Sequence, residues 1–168
     1  MMLKLLMPLL VAAGTALAAP PNPPYTTDLK DANGQVVGTA TLSPADNGVK
    51  IVMDLHGLPP GTHGFHIHDV GKCEAPKFTT AGGHFNPEHK EHGKLNPAGP
   101  HAGDMDNIVV QADGTAHVEV VATGVRYSDD SIFHPGGTAL VIHAKADDMK
   151  TNPSGNSGDR IACGVITE

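Results

Sequence analysis

Tryptophan is absent from this sequence, tyrosine occurs twice and phenylalanine four times. Basic residues are also scarce: Lys and Arg total 11 against 18 Asp and Glu, a formal net charge of −7 with histidine neutral. So acidic a chain argues against nucleic acid and anionic membrane as partners, because both reward clustered cations. Little of the sequence reads as an amphipathic helix, while Gly (20) and Pro (14) are plentiful, a balance that points to an all-β protein. Cysteine occurs only at Cys73 and Cys163. In an exported chain two cysteines read as one disulfide, with two separate buried thiols as the alternative. A bridge between them would close a long loop, worth up to about 4–5 kcal/mol in the chain-entropy description.

The one long apolar run lies at the N-terminus. Lys4 supplies a short positive region, apolar residues follow, and Ala16-Leu17-Ala18 is a small-residue cleavage signal. Pro8 and Gly14 interrupt the run, which is too short to span a bilayer comfortably. We expect residues 1–18 to be a cleaved export signal and residues 19–168 to form one domain, periplasmic or secreted. No cysteine follows the run, so nothing suggests a lipid anchor.

Beyond a short Pro-rich lead-in at 20–24, the chain alternates with period two. Val36, Gly38, Ala40 and Leu42 form one such row, Val49, Ile51, Met53 and Leu55 a second, and Ala116, Val118 and Val120 a third. Alternation means one buried and one wet face. Asn33-Gly34, Asn47-Gly48 and Asp113-Gly114 are turn signals between runs. Further strands fit 63–68, 107–111, 138–143 and 160–166. About eight strands at this spacing predict a Greek-key β-sandwich or barrel. Two segments, 69–106 and 144–159, lack strand signal, and long loops of this kind in a small domain are usually functional.

Eleven histidines are an excess for a protein of this size. His66 and His68 stand two apart in a strand, so both imidazoles leave one face. His84, His92, His101 and Asp104 offer three imidazoles and a carboxylate from one loop, the donor set of a closed tetrahedral zinc site. His66, His68 and His143, with one more nitrogen, would give a four-nitrogen environment suited to copper(II). On these residues alone the reading is an exported, two-metal, histidine-rich β-protein, with no reaction assigned.

The strings GFHIHD (64–69), GGHFNP (82–87), HG (92–93), HAGD (101–104), VIHAKADD (141–148) and GDRIACGVI (158–166) resemble, in order, the motifs of copper/zinc superoxide dismutases. The resemblance spans roughly residues 25–168. It implies an immunoglobulin-like sandwich with one copper and one zinc per chain, acting on superoxide. Copper would be held by His66, His68, His84 and His143, and zinc by His84, His92, His101 and Asp104, with His84 serving both and so taking part in catalysis. Asp147 would hydrogen-bond a copper histidine and a zinc histidine together, Arg160 would stand beside the copper, and Cys73 would pair with Cys163. His89 competes with His92 for the zinc role, but Gly93 follows His92 as in the family motif. His63 reads as structural, and His56, His117 and His134 as surface residues. A homodimer is among the assemblies the resemblance allows, with no interface fixed. The rival readings are a copper chaperone on the same fold, which usually adds cysteine motifs this chain lacks, and a non-catalytic metal-binding protein, which would tolerate loss of Arg160 or of the shared histidine.

Overall fold

The alternating runs are strands in the computed structural model, which describes residues 19–168; the expected export signal lies outside the described residues. The strands are β1 (Tyr25–Asp31), β2 (Val36–Ala45), β3 (Gly48–Leu55), β4 (Gly61–His63), β5 (Phe65–His68), β6 (Ile108–Val110), β7 (Ala116–Ala122), β8 (Thr138–His143) and β9 (Arg160–Ile166). Of these strands in the described residues, β1 lies ahead of the runs named from the sequence, and the run 63–68 divides at Gly64, its halves pairing with different neighbours. Seven strands form a curled antiparallel sheet in the order β5-β8-β9-β1-β2-β3-β7, and β4 pairs with β6.

The inward rows make the core. Leu29, Leu42, Ile51, Met53, Phe65, Ile67, Leu140, Ile142 and Ile166 are fully buried. Each such side chain contributes about 1.5–3 kcal/mol through the area it removes from water. Strand β8 is buried on both faces: Leu140 and Ile142 enter this core, while Ala139 and Val141 pack with Phe78, Ala81 and Cys163 in a smaller cluster. Phe78 and Ala81 belong to the 69–106 segment, which folds back over β8 and carries a single short 3₁₀ turn at Thr79–Ala81. Cys73 and Cys163 form the disulfide that fastens this segment to β9.

Two bulges depart from strict alternation. In β2, Gly38 faces Leu29 and Val36 faces Lys30, so Val37 is an extra residue. Val37 therefore turns inward at 5% exposure, and Val36, expected inside, is 44% exposed. In β9, Ala162 faces Ile142 but Arg160 faces His143, leaving Ile161 extra. Without that bulge Arg160 would lie on the sheet face opposite Cys163, three residues away. With it, Arg160 stands beside His143.

Candidate metal centre

The site is assembled around β5. Phe65 and Ile67 enter the core, so His66 and His68 leave the other face, at 0% and 1% exposure. His143 ends β8, the strand paired with β5. The far edge of β5 is covered by the 69–106 segment: Ile67 N–H donates to Gly103 O (2.9 Å), and Phe85 N–H donates to Ile67 O (2.8 Å). At Gly103 any side chain would overlap Ile67 O, so only glycine permits this approach. The pairing brings His84 beside His68 and Asp104 beside His66.

The outer ring nitrogens decide what the inner ones are. His66 Nε2–H donates to Asp147 Oδ2 (2.7 Å), His68 Nδ1–H to Gly82 O (3.0 Å) and His143 Nδ1–H to Gly158 O (3.2 Å). A neutral imidazole carries one proton, so each inner nitrogen is left as a lone pair. Ligand atoms of His66, His68, His84 and His143 lie within 4.8 Å of one another, and His68 Nε2 is 3.4 Å from His143 Nε2. Among the described residues, His66 Nδ1 and His84 Nε2 are buried with no hydrogen-bond partner. Converging, unpartnered nitrogen lone pairs are unfavourable without a cation, and four imidazole nitrogens suit copper.

A second set lies on the other side of His84. Asp104 Oδ1 is 2.8 Å from His84 Nδ1, 3.0 Å from His92 Nδ1 and 3.2 Å from His101 Nδ1. His101 Nδ1 is also 3.3 Å from His84 Nδ1. Donors about 2.0–2.1 Å from a tetrahedral zinc stand about 3.3 Å apart, so these atoms fit that ion with small adjustments. The other oxygen, Asp104 Oδ2, accepts from Gly93 N–H (2.8 Å) and His101 N–H (2.9 Å), leaving Oδ1 to face the rings. His66 also falls within 4.8 Å of His84, His92 and Asp104. Its Nε2, however, is committed to Asp147, and its Nδ1 turns to the first set. Asp147 spans both sets, since Oδ1 accepts from His92 Nε2 (3.0 Å) while Oδ2 accepts from His66.

Charge follows the same division. Burial holds His66 and His68 below the ordinary imidazole value, and lowers His84 to about 4 and His143 to about 3. These rings are neutral donors at physiological pH. Burial also disfavours charge on His92, but hydrogen bonds to Asp104 and Asp147 outweigh it and raise this ring to about 9. Burial likewise opposes ionisation of the two carboxylates, yet bonds from His84 and His92 keep Asp104, and bonds from His66 and His92 keep Asp147, well below the usual carboxylate range. Without metal, an imidazolium between two carboxylates supplies the positive charge this side requires.

Arg160 Nη1 donates to Phe78 O and Nη2 to Gly82 O, each at 2.6 Å. The guanidinium is thereby fixed in a cavity of about 390 Å³ whose walls include His68, His84, His143 and Ser154. Every residue assigned to metal or chemistry from the sequence thus meets in one place. His89 is exposed, on the turn after Asn86, apart from both sets. His63 is buried with both ring nitrogens against carbonyl oxygens, of His143 and Pro59 (2.8 Å each). His134 is only half-buried and stacks on Phe85. Sequence reasoning missed the carbonyls of Phe78, Gly82 and Gly158, and two asparagines. Asn152 Oδ1 accepts from His92 N–H (2.7 Å), and Asn107 holds the backbone of Asp147. Neither asparagine stands out by spacing or composition.

A sandwich that joins a four-imidazole set to a carboxylate-containing set through one ring defines a two-metal histidine centre. Comparison with known proteins is specific. Residues 36–166 match the family described as copper/zinc superoxide dismutase. Superoxide dismutase (Cu-Zn) 2 of Aquifex aeolicus is 49% identical over 143 residues, 83% of this chain and 84% of that protein. A superoxide dismutase-like protein from Bacillus subtilis superposes with TM-score 0.81 at 43% identity, covering 84% of this chain and 97% of that one. The Cu/Zn superoxide dismutase from Brucella abortus gives 0.71 at 31%, covering 84% and 98%. The chain belongs to the copper/zinc superoxide dismutase family. It is an oxidoreductase that acts on superoxide and uses copper and zinc.

Proposed function

We propose that His66, His68, His84 and His143 hold the copper, and that His84, His92, His101 and Asp104 hold the zinc. The observation that carries this reading is the placement of His84, with Nδ1 in the Asp104 set and Nε2 unpartnered among the other three imidazoles. Copper supplies the one-electron chemistry, so that two superoxide anions and two protons become O₂ and H₂O₂. The chain's own residues do the rest. Arg160 attracts and orients the anion in the cavity, its fork fixed by Phe78 O and Gly82 O. His84 stays anchored at Nδ1, so Nε2 is the atom that holds a proton between half-reactions and passes it to the reduced anion. Asp147 fixes the tautomers of His66 and His92 and raises their basicity. Net acidity does not oppose this, because a local cationic cleft with low-dielectric walls focuses anions; superoxide dismutase is itself a known example.

Residues 1–18 are proposed as the export signal and 19–168 as the mature domain, working outside the cytoplasm without nucleic acid or membrane as partner. A disulfide in a single small domain supports export. Superoxide decay followed after pulse radiolysis tests the function. Catalysed decay that is lost on copper chelation and indifferent to added zinc is expected. Uncatalysed decay with both metals bound would favour a metal-binding protein without activity.

A further inference from the structure

Asp147 lies in the 144–159 loop, yet its carboxylate has to face two rings at once. The side-chain amide of Asn107 grips its backbone at both ends. Asn107 Oδ1 accepts from Asp147 N–H (2.8 Å), and Asn107 Nδ2 donates to Asp147 O (2.9 Å). Asn107 immediately precedes β6, whose Ile108 and Val110 are in the core, and follows Asp104 by three residues. A planar amide anchored to a core strand thus sets the position of a loop residue. The carboxylate is bounded on its other side as well. Met149 N–H donates to Asp147 Oδ1 (2.6 Å), and a side chain at Gly155 would overlap Asp147 Oδ1. Asp147 is 4% exposed, and His66 and His92 are fully buried, so water has little room to substitute for a lost bond.

We propose that Asn107 is a positioning residue for the metal centre, acting through Asp147 on His66 and His92. The proposal rests on the reading of Asp147 as the link between the two ligand sets. Removing Asn107 leaves the Asp147 peptide groups unpaired and frees the carboxylate to tilt, so one of its two ring contacts lengthens. Removing an outer partner of a metal ligand commonly costs about 10–100-fold in metal affinity, and a residue one step further out belongs near the lower end.

The experiment measures zinc affinity by chelator competition on the intact protein for Asn107→Ala, Asn107→Asp, Asp147→Asn and the two double variants. Asn107→Asp is nearly isosteric and guards against misfolding of the alanine variant; it keeps the acceptor but sets an oxygen against Asp147 O. Each Asn107 variant is expected to weaken zinc binding about tenfold, and to change the copper EPR hyperfine pattern through His66. In the Asp147→Asn background the same changes should add less than about twofold, because residues acting through one contact are not additive. A purely structural role would lower the melting temperature and move neither metal readout. Unchanged zinc affinity in both single variants, with Asp147→Asn weakened, overturns the role of Asn107 and leaves the link standing. Fully additive losses show that Asn107 does not act through Asp147. Unchanged affinity in Asp147→Asn overturns the link itself, and the role of Asn107 with it.

Discussion

Arg160 shows how residue chemistry and backbone placement combine. Its guanidinium is half-buried and locked to two carbonyls, so in the role proposed for it the group would meet an incoming anion already oriented. At about 5 Å and an effective dielectric near 20 the attraction is about 3 kcal/mol. Solvent and salt reduce this to about 1–2 kcal/mol, or about 5–30-fold in kcat/KM. Arg160→Ala should slow turnover by about that factor and flatten its dependence on ionic strength, with both metals retained. Arg160→Lys should fall between, keeping charge without the planar fork. Stopped-flow or pulse-radiolysis rates across a salt series would show it, and full activity with an unchanged salt slope would refute steering by this residue. At this scale the sequence was informative about identity and silent about orientation. Histidine spacing and the motif series picked out the rings that meet. Which nitrogen faces inward depends on the carbonyls of Gly82 and Gly158, whose positions exist only once the chain has folded.

At the scale of elements, the two ligand sets differ in their supports. On the proposed copper side three rings stand on β5 and β8, whereas the proposed zinc side draws His84, His92, His101 and Asp104 from the 69–106 segment. Removing zinc should therefore loosen that segment more than removing copper, as hydrogen exchange on the two single-metal forms would report; equal protection would contradict it. The 144–159 loop has an acid-sensitive clasp of its own. Asp148 accepts from Lys150 N–H (2.9 Å), Thr151 N–H (2.8 Å) and Asn156 Nδ2 (3.0 Å), and these bonds, the one from Thr151 foremost, lower its pKa from 3.8 to about 2. A carboxylate depressed in the folded state stabilises above its unfolded value and loses that contribution as pH falls through the folded one. In the metal-free protein, Asp148→Ala should open the loop more than wild type at pH 5 and no more than wild type below about pH 2. A difference that persists in acid would rule out the charged clasp. The strands themselves were legible from period-two alternation and turn residues. The bulges were not, since Val37 and Ile161 are ordinary β-formers and the extra residue is set by pairing across the sheet. Strict alternation would even place Arg160 on the wrong face.

For the molecule as a whole, the disulfide and the metal centre reinforce one another. Cys73 and Cys163 are 90 residues apart, and their bond holds the segment that carries Phe78 and Gly82 against β9. Replacing both cysteines by serine should cost about 2–5 kcal/mol in denaturant unfolding. It should also reduce kcat/KM, because the two carbonyls that hold Arg160 belong to the released segment; loss of stability without loss of rate would separate the disulfide from the site. Acidity and the β-rich composition were visible from the sequence. The closure of one long segment over the free edge of β5 was not, because it depends on a single close approach at Gly103. That closure brings His84 between the two ligand sets, and a shared His84 is the claim on which the chemistry turns. Copper EPR of protein carrying cobalt(II) in place of zinc tests it most directly. A ring bonded to both ions couples their spins, so the copper signal should disappear when cobalt fills the second site and return when zinc replaces it. A copper signal of full intensity with cobalt bound would mean that no single ring joins the two metals.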